Sequence, residues 1–360
     1  MRVKLTEICT PKQWKTIPAN ELLDKGYPVY GANGIIGYYN EYNHENPVVA
    51  ITCRGATCGT INITVPQSYV TGNAMCLDDT RSDILPEYLY YCLLHYDFNN
   101  VISGSAQPQI TRQGLEKVEI KYYPIEAQKK IVAILSKTRA VITAHHQQLQ
   151  KLDELVKARF VEMFGDPNDN PKGYSKKQLK DTCRVITGNT PSRAVSEYYG
   201  EHIEWIKTDN IVSGLLNPTT ATESLSEKGM AVSRTVESGA ILMVCIAGSI
   251  ASIGRVCVTD RKVSFNQQIN AIVPSDYNIL FLYVMLQISK EYLVDEINMA
   301  LKGILSKSKL EEKAFYVPPI ELQEQFAAFV EQTDKSKVAV QKALDEAQLL
   351  FDSLMQKYFG

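Results

Sequence analysis

The sequence predicts an α+β chain: two mixed α/β lobes of similar topology, separated and joined by two long helices that pair as an antiparallel intramolecular coiled coil. Three observations predict it. A stretch near residue 125 recurs 195 positions later without a gap. Both copies carry apolar residues at alternating spacings of three and four. The segments before them are short apolar runs broken by Gly, Asn and Pro. With domains of about 100 to 200 residues, 360 residues divide into a first lobe over 1–122, a central helix over 123–166, a second lobe over 167–317 and a distal helix over 318–360.

In the first lobe, Val48-Val49-Ala50-Ile51-Thr52 has the β-branched, uninterrupted apolar character of a buried strand. Gly31-Ala32-Asn33-Gly34-Ile35-Ile36-Gly37-Tyr38-Tyr39 supplies Gly and Asn for a tight turn and is expected as a hairpin or loop. It lacks the spacing and final Lys of a phosphate-cradling loop. The strand runs into a small polar loop, Cys53 to Gly59, that carries Arg54 and Thr57. Thr71-Gly72-Asn73 follows, then a short helix near 86 to 95, then the polar stretch Ser103 to Arg112 with Ser105, Gln107, Gln109 and Thr111.

The central helix is announced by Pro124 at its start, Glu126 on its first turn and Gly165 after its last apolar residue. Pro124-Ile125-Glu126-Ala127-Gln128 aligns with Pro319-Ile320-Glu321-Leu322-Gln323, and Phe164-Gly165 with Phe359-Gly360, in one register over about forty residues. The first seam is Leu135, Thr138, Ile142, His145, Leu149, Leu152 and Val156. Its counterpart is Val330, Thr333, Lys337, Val340, Leu344, Ala347 and Phe351. Polar Thr138, His145, Thr333 and Lys337 weaken burial but can fix register and partner. From 120 to 165 there are eight basic and four acidic residues, and from 315 to 360 four and seven, an asymmetry that favours pairing the two helices.

The second lobe repeats the plan with different residues. Val3 to Cys9 resembles Lys177 to Cys183, and Glu87 to Leu93 resembles Leu280 to Leu286. Ile241 to Ile246 is a strand candidate and leads into Ala247 to Arg255, with Ser249 and Ser252. Asn266-Gln267-Gln268 answers Thr71-Gly72-Asn73, a short helix is expected near 277 to 295, and Lys302 to Lys309 precedes the distal helix.

These loops are rich in donors and acceptors. Amides can read adenine bidentately, Arg reads guanine, and Ser, Thr and Lys hold phosphates. The same residues are also ordinary loop composition.

Composition narrows the classes. Basic and acidic residues number 38 and 40, for a net charge of −2, so no uniformly cationic coat exists and a polyanion must meet local patches. No signal-like apolar start and no run of about 18 apolar residues is present, which points to a cytoplasmic protein without a membrane span. The eight cysteines form no Cys-x-x-Cys pair and read as buried thiols. No metal site, phosphate loop, nucleophile elbow, His-Glu-x-x-His motif or Asn/Asp-Pro-Pro-aromatic methylation loop is found, and binding rather than catalysis is expected, with no catalytic residue assigned.

Two unlike lobes, each closed by a similar helix that opens Pro-Ile-Glu-x-Gln after a polar loop, resemble the DNA-specificity subunit of type I restriction-modification systems. Ser105-Ala106-Gln107-Pro108-Gln109-Ile110-Thr111, the run from Pro124 to Leu135, and Pro318-Pro319-Ile320-Glu321-Leu322-Gln323-Glu324-Gln325 carry the resemblance, which covers nearly the whole chain. It implies two target-recognition domains that each read half of a split DNA sequence, and a helical spacer that docks two methyltransferase subunits. Two restriction (motor-nuclease) subunits complete the family's restricting form. S-adenosylmethionine, ATP and Mg would then sit in partner subunits, and this chain would hold no cofactor. DNA contact is expected from Arg54, Thr57, Asn73, Ser105, Gln107, Gln109, Thr111 and Arg112 in the first lobe and from Ser249, Ser252, Asn266, Gln267, Gln268, Lys307, Ser308 and Lys309 in the second. Lys307-Ser308-Lys309 is taken to stand where the first half has Gln-Pro-Gln-Ile-Thr, and so to hold phosphates. A helix of about 35 residues, about 50 Å at 1.5 Å per residue, suits half-sites about 34 Å apart. The competing reading is a coiled-coil adaptor without sequence-specific DNA binding.

Overall fold

The computed structural model describes residues 1–32, 34–104, 107–295, 297 and 303–360. Two compact units emerge: residues 1–145 with 343–360, and residues 146–342. Both long helices, Ile125–Phe164 and Ile320–Phe359, contribute to both units, and each runs 40 residues, somewhat longer than the 35 expected.

In the first unit, Arg2–Lys4 pairs antiparallel with Glu119–Lys121, so the chain's start is tied to the strand before the central helix. A four-stranded antiparallel sheet runs in the order Thr10–Gln13, Ala74–Asp78, Val49–Thr52, Ile61–Ile63. In a second sheet Tyr27–Gly31 lies between Gly34–Tyr39, antiparallel, and Tyr69–Val70, parallel. Gly31 and Gly34 face each other across the expected hairpin, and Gly34 has φ +85°, a left-handed conformation that favours glycine. Helix Pro86–His95 starts with Pro at its first position. It covers the sheet: Tyr88, Leu89 and Leu93 are buried with Val49, Ile51, Met75 and Leu77.

The second unit repeats this ladder. Lys176–Gln178 pairs with Ala314–Tyr316. The order Cys183–Thr187, Ile269–Pro274, Ile241–Val244, Val256–Val258 reproduces the four-stranded sheet. Tyr199–Ile206 runs parallel to Val263–Phe265, as Tyr27–Gly31 does to Tyr69–Val70. Helix Ile279–Ile288 is capped by the Asn278 side chain, which accepts from the Leu280 and Phe281 amides. Its Phe281 stacks on Phe160 at 5.3 Å, with Phe164 and Phe326 completing an aromatic core.

Helix pairing is antiparallel within each unit. In the first, Ile131 and Leu135 from the start of the central helix share a core with Met355 and Phe359 from the end of the distal one. In the second, Val156, Phe160 and Phe164 from the end of the central helix meet Phe326 and Val330 from the start of the distal one. Every seam position is buried or half-buried, whereas Leu155, Val338, Leu349 and Leu350, off the seam, are exposed. The seam hydroxyls are satisfied within their own helices, Thr138 donating to the Ile134 carbonyl at 3.1 Å and Thr333 to Phe329 at 2.9 Å. Lys337 pairs with the Asp153 carboxylate.

The repeated glutamine has a role that its motif does not disclose. Gln128 is buried. Its Oε1 accepts from the Leu85 amide at 2.9 Å, and its Nε2 donates to the carbonyls of Asp83 at 2.8 Å and Tyr123 at 2.7 Å. Gln323, equally buried, accepts from the Asn278 amide at 2.9 Å and donates to the Pro318 carbonyl at 2.8 Å. In each unit, one side chain joins the start of a long helix to the start of the short helix. Among the described residues, no helix is long and apolar enough to cross a membrane.

Candidate nucleic-acid interface

The first candidate surface forms where Val49–Thr52 ends. Cys53 donates its amide to the Asn73 carbonyl at 3.1 Å and accepts the Ile110 amide at 3.0 Å, so the 53–59 loop, the 71–73 turn and the strand before Thr111 are knitted together. Arg54 bridges to Gln109, and the Gly55 amide donates to the Pro108 carbonyl at 3.1 Å. Gly55 and Gly59, at φ +88° and +93°, allow the intervening turn to close. The Thr111 hydroxyl accepts from the Gly114 amide at 3.1 Å and caps helix Arg112–Leu115, which places Arg112 on its first turn.

An open groove results, lined by Lys12, Gln13, Arg54, Gln109, Thr111 and Arg112 among others. Among the described residues, three cations and no carboxylate face it, although the chain as a whole is slightly acidic. Arg54, Gln107, Gln109 and Arg112 are exposed and make no side-chain hydrogen bond among the described residues, so their donors and acceptors are available to a ligand. Thr57 is half-buried and donates to the Ala32 carbonyl at 3.4 Å; Asn73 is exposed. Ser105 lies outside the described residues.

Two groove residues, Lys12 and Gln13, carry no signal in the sequence. Gln13 Nε2 donates to the Gly72 carbonyl at 2.9 Å and to Cys53 Sγ at 3.0 Å, bracing the floor, and Lys12 Nζ sits 3.7 Å above the Trp14 ring. Strand Thr10–Gln13 holds no motif. Only its pairing with Ala74–Asp78 brings these residues beside Arg54.

The second unit builds the corresponding surface by the same bonds. Cys245 donates to the Gln268 carbonyl and accepts the Leu305 amide, both at 2.8 Å. Ser306 caps helix Lys307–Glu312 by accepting from the Lys309 amide at 3.3 Å. Ile110 therefore matches Leu305, Thr111 matches Ser306, and Arg112-Gln113-Gly114 matches Lys307-Ser308-Lys309. This corrects the expected register: the counterpart of Pro108 to Thr111 is Gly303 to Ser306, because the capping hydroxyl, not the run of amides, fixes the alignment.

Lys307 and Ser308 are exposed on that first turn; Lys307 pairs with Glu311 at 3.5 Å, Ser308 Oγ lies 3.1 Å from Ser306 Oγ, and Lys309 is exposed beside them. Ser249 is exposed and Ser252 half-buried in the 248–254 turn. Gln267 is exposed, with its Oε1 accepting from the Thr190 hydroxyl.

Asn266 departs from its expected place on the surface. It is only 6% exposed, and its Oδ1 accepts the Gln268 amide at 3.1 Å while its Nδ2 donates to Gln268 Oε1 at 3.2 Å. It shapes the turn from inside. Gln268 is half-buried, with Nε2 directed at the Ile246 carbonyl at 3.4 Å.

All eight cysteines are free thiols. Burial pushes Cys9, Cys183, Cys245 and Cys257 up to about 12, so they remain neutral and serve packing. His44, Cys76 and Asp78 are the group among the described residues close enough to share a cation, their ligand atoms lying within 4.8 Å. Both ring nitrogens of His44 are already engaged, with Asn43 Oδ1 at 2.6 Å and Asp78 Oδ1 at 2.9 Å, and burial raises the Cys76 thiol further. The His44–Asp78 contact pins the 43–44 segment to the sheet.

The family model described as "Type I restriction modification DNA specificity domain" matches residues 1–154 and again 171–347. The chain belongs to this family. Among curated relatives, the HindI specificity subunit of Haemophilus influenzae is 32% identical over 120 residues, 32% of this chain and 25% of that one. The MjaIX specificity subunit of Methanocaldococcus jannaschii is 25% identical over 309 residues, 77% of this chain and 69% of that one. The match to the HindI subunit thus spans a quarter of its length, and that to MjaIX about two thirds. The crystal structure of the type I restriction-modification S subunit from M. genitalium shares the fold, with a TM-score of 0.68 and 14% identity over 100% of this chain and 96% of that one. The paired domain matches fall on the two halves of the internal repeat.

Proposed function

We propose that this chain is the non-catalytic DNA-reading subunit of a type I restriction-modification complex, each unit reading one half of a bipartite target. The observation that carries it is the first unit's groove, where among the described residues Lys12, Arg54 and Arg112 converge without a carboxylate beside the unspent amide of Gln109. Cations there neutralise phosphates, and the amides and guanidinium groups offer the bidentate donors that distinguish base edges in the major groove.

The helix pair is the ruler and the dock. A helix of 40 residues at 1.5 Å per residue is about 60 Å long, enough to hold two readers on half-sites about one turn of B-DNA, roughly 34 Å, apart. Exposed Val141, Leu155, Val338 and Leu349 on the outer helix faces suit two methyltransferase subunits. S-adenosylmethionine belongs to those partners, and ATP and Mg to the restriction subunits where present. The whole assembly acts on DNA in the cytoplasm.

With a net charge of −2, the chain alone grips the backbone weakly. The test is adenine-methylation mapping in cells that express the chain with its methyltransferase subunits, together with gel-shift assays on the chain and on the complex. A split motif, with tight binding only by the complex, is expected. Nanomolar sequence-selective binding by the chain alone would contradict the shared grip. Complex formation without any motif would leave only a coiled-coil adaptor.

A further inference from the structure

The repeated ladder allows the two reading edges to be compared position by position. Lys12 pairs with Cys76 as Ile186 pairs with Ala271. Arg54 bridges to Gln109 as Ile246 pairs with Ile304. At the positions of Lys12, Arg54 and Gln109, the second unit therefore carries Ile186, Ile246 and Ile304. A cationic, amide-bearing edge has become an aliphatic one on the same backbone.

This aliphatic edge is not spent entirely on the core. Ile304 is 52% exposed and Ile250, in the turn that follows Ile246–Ala247, is 42% exposed. Their neighbours in sequence are polar: Ser249, Ser252, Ser306, Lys307 and Ser308. An exposed β-branched aliphatic beside hydroxyls and the Lys307 ammonium matches a ligand with an apolar spot set inside an anionic border. In duplex DNA that spot is the thymine C5 methyl group, which projects into the major groove between the phosphate backbones. Against a G·C pair, the same isoleucine would cover base donors and acceptors without pairing them, an unfavourable arrangement that gives discrimination as well as attraction.

We propose, resting on the DNA-reading role above, that Ile304 is a specificity-determining residue that packs on a thymine methyl in the half-site read by the second unit. That half-site accordingly requires a T·A pair at one position, while the first unit reads its own half through Gln109.

The complex with methyltransferase subunits tests it. Each thymine of the second half-site is replaced in turn by uracil, which removes only the methyl group, and binding is measured for the wild type and for Ile304→Ala. One replacement should weaken wild-type binding about fourfold, the worth of one buried methyl-sized group, and should have no effect in Ile304→Ala. Methylation mapping of Ile304→Gln should show the second half-site altered and the first unchanged, the latter also reporting a folded complex. A wild-type complex insensitive to every uracil, or a second half-site made only of G·C pairs, would overturn the isoleucine–methyl pairing while leaving the DNA-reading role intact. Absence of any motif would instead remove that role itself.

Discussion

Gln128 accepts a hydrogen bond from the backbone amide of Leu85 at 2.9 Å, across 43 positions of sequence, and Gln323 does the same for Asn278 across 45. Each glutamine is fully enclosed, so the bond joins the first turn of a long helix to the entry of a short one where water cannot substitute. The amide repeated in the Pro-Ile-Glu-x-Gln motif is thus a fastening between helix and lobe.

Removing that fastening orphans buried backbone groups. Gln323→Ala is expected to cost about 2 to 3 kcal/mol, because the Asn278 amide and the Pro318 carbonyl each lose their partner. Denaturant unfolding measures it; a destabilisation below about 0.5 kcal/mol, the level of ordinary surface changes, would mean that the surroundings satisfy those groups without Gln323.

Changes in the groove should alter sequence preference rather than stability. Gln107, Gln109 and Arg112 are exposed and structurally unoccupied, so alanine at each should leave the melting temperature unchanged. Recognition of one half-site should weaken by about 1 to 3 kcal/mol for each bidentate pair removed. An unchanged methylation motif for all three variants would take them off the reading surface.

Lys12 and Arg54 should act on affinity for any sequence, because they neutralise phosphates. Each alanine variant of the complex should lower the slope of log K against log salt by about 0.9 for every phosphate no longer neutralised. Titrations at several salt concentrations give the slope; parallel lines for variant and wild type would place both cations away from the backbone.

Burial raises the carboxyl of Asp334 above its ordinary range, against the opposing pull of Lys337, in a small cavity shared with Asp153, Lys157 and Tyr283. A raised folded value means that the protonated form favours folding, so this group's contribution is largest at low pH and is lost as pH rises through that value. Asp334→Asn should therefore melt higher than wild type at about pH 7, with the gain shrinking as pH falls toward the carboxylate range. Melting curves across that interval check the sign, and a lower melting temperature at neutral pH would show that the Lys337 attraction dominates.

Much of the site becomes legible only through pairing. Arg54, Gln109, Thr111 and Arg112 stand out by residue type and do converge on one groove, but Lys12 and Gln13 reach it through a strand partner more than sixty positions away. Asn266 looks the equal of Gln267 in sequence, yet the turn draws one side chain inward and leaves the other outside. Matching by residue type displaces the alignment of Lys307-Ser308-Lys309, because a capping hydroxyl, Thr111 or Ser306, holds the register.

The duplicated plan, the two long helices and the buried stripe along each can be read from the order of residues alone. Those are local and periodic properties: a 3.5-residue repeat, a proline before and a glycine after can be seen without knowing what lies opposite. Folding in three dimensions sets which loops meet at Cys53 and Cys245, turns Gln128 and Gln323 inward, and puts isoleucines in one unit at the positions of Lys12, Arg54 and Gln109 in the other. Those outcomes depend on long-range strand pairing, where one step of register sends a side chain to the opposite face, and no spacing along the chain records that step.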